Sequence, residues 1–115
     1  MLRLTAILAL LALPALAQDL SRVTDRAAFL DRVADRDLSR IGITVQVRPD
    51  GRITGRAFGG RVTGSWDWQE GFFCREMSWG TTSWERNCQA VYTGGDTVRF
   101  VADRGQGDSA DLTLR

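Results

Sequence analysis

Residues 61–76, Arg61-Val62-Thr63-Gly64-Ser65-Trp66-Asp67-Trp68-Gln69-Glu70-Gly71-Phe72-Phe73-Cys74-Arg75-Glu76, decide the fold. Val62, Gly64, Trp66 and Trp68 alternate with Arg61, Thr63, Ser65 and Asp67, the period of a half-buried strand. Glu70-Gly71 then turns the chain back into Phe72–Trp79. A two-residue turn at this point sets Trp68 against Phe73 and Trp66 against Arg75, so the odd residues of 72–79 face inward.

The same period extends in both directions. Upstream, Ile41, Ile43, Val45 and Val47 alternate with polar residues until Pro49-Asp50-Gly51, and Ile53, Gly55 and Ala57 run to a turn at Gly59-Gly60. Downstream, Gly80-Thr81-Thr82-Ser83 opens a looser connection to a strand around 87–93. Gly94-Gly95-Asp96 leads to Val98, Phe100 and Ala102, Asp103–Asp108 is a glycine-bearing turn, and Ala110, Leu112 and Leu114 close the chain. The expected fold is mainly β: a seven-strand antiparallel meander, curled into a strongly bent sheet or small barrel because a long open meander leaves edges. One helix is expected over about 25–36, with Thr24 as N-cap and Phe29, Leu30, Val33 and Ala34 as its apolar face. So short a helix must dock on something, an open barrel end or a sheet face.

Ahead of it, Met1-Leu2-Arg3, the apolar run Leu4–Leu13, Pro14 and Ala15-Leu16-Ala17 read as a signal peptide over 1–17. No cysteine follows for lipid attachment, and nothing later matches the ~20 apolar residues of a membrane span. The expectation is one β-rich domain over 18–115, in the periplasm or secreted. Its two cysteines, Cys74 and Cys88, read as one disulfide in that compartment. Two free thiols are the alternative, and no C-x-x-C motif supports them. Direct pairing of Cys74 with Cys88 puts the disulfide on the outer face, while Ala90 and Tyr92, in phase with Cys88, look like core. A bulge or irregular loop within 80–88 reconciles the two.

All 15 basic residues are arginine; histidine and lysine are absent. That excludes a Ser-His-Asp triad, histidine metal ligands, a Schiff-base lysine and a P-loop lysine. Fourteen acids oppose the scattered arginines, so nucleic acid is not an expected partner.

Three constellations remain. Trp66, Trp68, Trp79 and Trp84 either fill the core or present an aromatic patch to a sugar, peptide or apolar ligand, with Arg75 stacked on Trp66. Trp84, Trp79 and Arg75 are the candidate binding residues, and Trp84, in the least regular connection, is the one expected to be exposed. Asp67 and Glu76 share the opposite face, with Glu70 and Glu85 near turns. They are either a carboxylate pair for glycoside hydrolysis or solvated charge, Glu76 pairing with Arg86. Asp103-Arg104-Gly105-Gln106-Gly107-Asp108 with Asp111 has oxygen ligands but not calcium-loop spacing, and Gly105-x-Gly107 is no dinucleotide fingerprint. No metal, cofactor or catalytic residue is assigned.

Five runs carry a resemblance: Asp50-Gly51-Arg52-Ile53-Thr54-Gly55, Gly64-x-Trp66-x-Trp68, Gly71-x-Phe73-Cys74-Arg75, Asn87-Cys88-Gln89 and Arg104-Gly105-x-Gly107-Asp108. Over nearly the whole mature region the chain resembles a family of short exported alphaproteobacterial proteins with a signal peptide and one early helix. That family often goes by the name dihydrodipicolinate reductase. Such a reductase needs a dinucleotide-binding βαβ domain and a catalytic motif with histidines and a lysine, none of which this chain has. The resemblance therefore implies export and fold but no catalytic residue. The expected role is an exported binding or interaction module for a protein, small molecule or glycan, inhibitor-like in one form; a carboxylate-based hydrolase is the alternative.

Overall fold

Every strand from residue 38 onward finds a hydrogen-bonded neighbour on both sides, so the sheet closes on itself. The computed structural model describes residues 19–115, and the signal-peptide reading of 1–17 lies outside them. Nine strands are present among these residues: β1 (Ser21–Val23), β2 (Leu38–Arg40), β3 (Ile43–Val47), β4 (Arg52–Ala57), β5 (Gly60–Gln69), β6 (Phe72–Trp79), β7 (Thr82–Gly94), β8 (Thr97–Val101) and β9 (Ser109–Leu114). All pairings are antiparallel, in the order β7-β6-β5-β4-β3-β2-β9-β8, and β8 returns to β7 to close an eight-stranded barrel; β1 adds to β7 outside the ring. Among the described residues, no helix is long and apolar enough to cross a membrane.

The expected seven strands become nine for two reasons. The run 38–47 is two strands, because Ile41-Gly42 is a turn with Gly42 at φ 77°, and Ile41 is 94% exposed rather than core. Three residues ahead of the helix also pair with β7. The β4–β5 turn falls on Phe58-Gly59, one residue before the expected Gly59-Gly60; both residues are left-handed, as a two-residue hairpin needs. At Glu70-Gly71 the expected turn forms, again left-handed at both residues. Its register sets Trp68 opposite Phe73 and Trp66 opposite Arg75, as the alternation requires.

Helix α1 (Arg26–Val33) is shorter than 25–36. Its N-cap is Asp25 rather than Thr24: the Asp25 carboxylate accepts the Ala28 amide at 3.0 Å. The helix ends where Asp35 turns left-handed. Phe29 and Val33 are fully buried, and Phe29 lies 5.6 Å from Trp66, 5.1 Å from Trp68 and 5.2 Å from Phe73, centroid to centroid. Arg26 donates to the Pro49 carbonyl at 2.8 Å and Arg32 to that of Gly95 at 3.2 Å. These bonds fasten α1 across the barrel end that carries the 48–51, 70–71 and 95–96 turns. The helix is the plug of that end.

Cys74 and Cys88 are direct cross-strand partners and form the disulfide, on the outer face. Between Arg75↔Asn87 and Met77↔Trp84, Glu85 and Arg86 of β7 oppose Glu76 alone; a bulge thus lies within 80–88 as expected, but it does not bring Ala90 and Tyr92 inward. Ala90 and Tyr92 are not lumen residues. Ala90 is buried from outside, beneath the helical turn Ala102–Gly105, while Tyr92 lies under Arg22. The buried inward residues of β7 are Gln89, Val91 and Thr93.

Two inward positions must be glycine because the tightly curled sheet leaves no space for a Cβ. A Cβ on Gly55 would strike the Thr44 carbonyl oxygen and lie 2.7 Å from Val45 Cα; one on Gly64 would strike the Glu76 carbonyl oxygen and lie 2.9 Å from Met77 Cγ. Gly64→Ala is expected to destabilise by about 1–3 kcal/mol through overpacking, read as a lower urea midpoint with unchanged slope.

Candidate functional site

Eight strands enclose a barrel wide enough for a single small ligand when side chains do not fill it. Here the floor is filled and the upper part is not. Phe73 and Phe100, 5.2 Å apart, lie over Phe29 and close the space below. Above them is a cavity of about 300 Å³ lined by Leu38, Val45, Val47, Ile53, Met77 and Leu112 among apolar residues. That volume is at the lower end of the roughly 300–1,000 Å³ range of ligand pockets. The cavity opens at the end opposite α1. There β2 leaves β9 after only two residue pairs, Leu38↔Leu114 and Ser39↔Thr113, so β9 residues 109–112 have no partner on that side. Arg40, Asp108, Ser109 and Ala110 border this opening.

The polar groups in the lining are few. Gln89 is buried opposite Phe73. Arg75 is half-buried, and its guanidinium donates to the Glu85 carbonyl at 3.1 Å. Burial pushes its pKa below the usual arginine value, because an apolar surrounding penalises the charged form. The ion pairs among the described residues are at the surface: Arg52–Asp50, Arg86–Asp67, Arg99–Asp111 and Arg104–Glu70. None of these involves Arg75.

The three candidate binding residues do not form one site. Arg75 lines the lumen, but it does not stack on Trp66; Arg26 does, 5.1 Å from the ring, because α1 brings it across the closed end. Trp79 is a clamp on the β4–β5 hairpin. Its indole N–H donates to the Ala57 carbonyl at 2.8 Å, and its ring lies 5.9 Å from Phe58. Trp84 is 42% exposed near the open end. Trp66 and Trp68 belong to the packing around Phe29, their indole N–H groups bonded to the Arg48 and Thr24 carbonyls.

The carboxylates take other partners than expected. Arg86 pairs with Asp67 at 2.6 Å, not with Glu76; Glu76 accepts instead from the Ser65 hydroxyl at 3.4 Å. Both acids lie on the exposed outer face, away from the lumen. In the 102–108 segment, Asp103 takes the Asn87 side-chain amide at 2.7 Å and gives its own N–H to the Asn87 side-chain oxygen at 3.0 Å. The segment therefore fastens the turn to β7. No group of metal-ligating side chains occurs among the described residues.

Met77 and Gln89 line the cavity but were not singled out from the sequence, while Val45, Val47 and Ile53 were read there as strand residues and not as a site. The signal was the phase of Arg75 and Phe73: carried across the Cys74–Cys88 pair and along β6, it places Gln89 and Met77 inside. The chain matches no protein-family model, no curated protein and no solved structure.

Proposed function

We propose that the protein is a binding module of the periplasm or extracellular space whose barrel lumen holds a small, largely apolar molecule. The observation that carries this is the apolar cavity of about 300 Å³ open at one end of a closed barrel. The disulfide fits an oxidising, non-cytoplasmic compartment. The test is calorimetric titration with decanol, alongside Ala110→Trp, which fills the lumen from the rim. Wild type is expected to bind and the folded variant to lose binding. No heat with either, or unchanged affinity in the variant, removes the lumen as the site.

A second reading, an inhibitor-like docking rim, draws on a separate observation. Among the described residues the exposed large hydrophobics, Ile41 (94%), Phe58 (67%) and Trp84 (42%), all lie on turns or strand ends around the open mouth. Trp84→Ala separates the readings: it leaves decanol binding intact if the lumen is the site, and abolishes capture of a protein partner if the rim is. A carboxylate hydrolase has less support, since Asp67 is engaged by Arg86 and faces solvent.

A further inference from the structure

Among the described residues, Arg75 is the one charged side chain carried into the apolar lumen from the middle of a strand. Its neighbours on β6, Phe73 and Met77, are both lining residues, and so is the facing Gln89. A guanidinium has five N–H donors, and a single side-chain hydrogen bond, to the Glu85 carbonyl, is formed. No carboxylate of the described residues lies within ion-pair distance of it, and residues 1–18 contain no Asp or Glu. The other charges in the lining are Arg40 and Asp108, both exposed at the opening, so the lumen carries more positive than negative charge. A charge held in apolar surroundings without a counter-charge is unfavourable, and a bound anion relieves that penalty.

We propose, building on the lumen-binding reading, that the ligand is an amphiphile with a single apolar chain and a carboxylate, the carboxylate bound by Arg75 and the chain lying among Val45, Val47, Ile53, Phe100 and Leu112. The planar guanidinium matches a carboxylate in two-point geometry, which an alcohol or an ammonium head does not offer. The cavity is small, so the chain is short to medium in length.

The experiment compares decanoate, decanol and decyltrimethylammonium by calorimetry on the intact protein, then repeats the comparison with Arg75→Met and Arg75→Lys. Decanoate is expected to bind wild type about tenfold to hundredfold more tightly than decanol, and the ammonium compound more weakly than either. Arg75→Met should retain decanol binding and lose the preference for decanoate, while Arg75→Lys retains part of it. As a readout that needs no variant, the Arg75 Nε–H resonance should shift on adding decanoate and not on adding decanol. Equal affinity for decanoate and decanol, or a preference that leaves the Arg75 resonance unmoved, overturns the assignment of Arg75 while leaving the lumen as a binding site. Failure of all three compounds to bind overturns the lumen reading itself.

Discussion

Phe29→Ala is expected to destabilise the protein by about 3–5 kcal/mol, the largest effect of any single substitution considered. The ring is fully buried and packs against Trp66, Trp68, Phe73 and Phe100, so its removal leaves a cavity that these neighbours can fill only in part. For a domain of this size, with about 4–8 °C of Tm per kcal/mol, the melting temperature should fall by more than about 10 °C. A functional consequence follows from its place beneath Phe73 and Phe100, the floor of the lumen. With the plug ring gone the floor has space to drop, and a longer apolar chain should gain affinity relative to decanol in the variant that still folds, as an enlarged apolar cavity takes an apolar guest. Thermal melts and titration with dodecanol measure the two effects separately. A fall of less than about 1 kcal/mol would show that α1 is not what holds the end of the barrel closed.

Replacing Cys74 and Cys88 together by serine is expected to destabilise by about 3 kcal/mol, from the chain entropy of a loop of this length. The two residues are separated by 14 in sequence and are direct partners between β6 and β7. Beyond global stability, the bond fixes register at a sensitive place. Its neighbours Phe73, Arg75 and Gln89 are lumen residues, and the Glu85-Arg86 bulge begins three residues away. Without it, the paired strands are held here by backbone bonds alone, beside an irregularity that already interrupts them. Amide exchange of residues 84–89 should therefore accelerate more than that of β3 and β4. Uniform acceleration across the barrel would confine the disulfide's role to the unfolded chain.

Much of the architecture was legible because a half-buried antiparallel strand writes its burial directly into the sequence. Trp66 and Trp68 against Thr63, Ser65 and Asp67 specify one strand and its buried face, and Glu70-Gly71 specifies the hairpin, its register and hence the inward position of Arg75. The helix was legible in the spacing of Phe29, Leu30, Val33 and Ala34. The disulfide was legible as two cysteines in a chain whose first residues read as a signal peptide. Elsewhere local pattern misled for identifiable reasons. Ile41 continues the alternation of Ile43, Val45 and Val47, yet it is at the tip of a turn that Gly42 makes possible. Ala90 and Tyr92 look like core because they are covered, but the 102–105 turn and Arg22 cover them from outside.

What the sequence by itself determined is the set of local statements: which segments are strands, where most turns fall, which faces are apolar, and which chemistries the absence of histidine and lysine removes. Only the tertiary structure decided that the sheet closes, that α1 seals one end and leaves the other open, and that Arg75 enters an apolar lumen with no ion-pair partner among the described residues while Trp79 and Trp84 lie elsewhere. The reason is physical. Period-two alternation tells a residue's side of its own strand, and that information resets at each bulge and turn. Closure, the volume left unfilled and the distance between charges depend on how far strands curl and where they part, as β2 and β9 do after two residue pairs. Those quantities belong to pairs of segments distant in the chain, and no local pattern contains them.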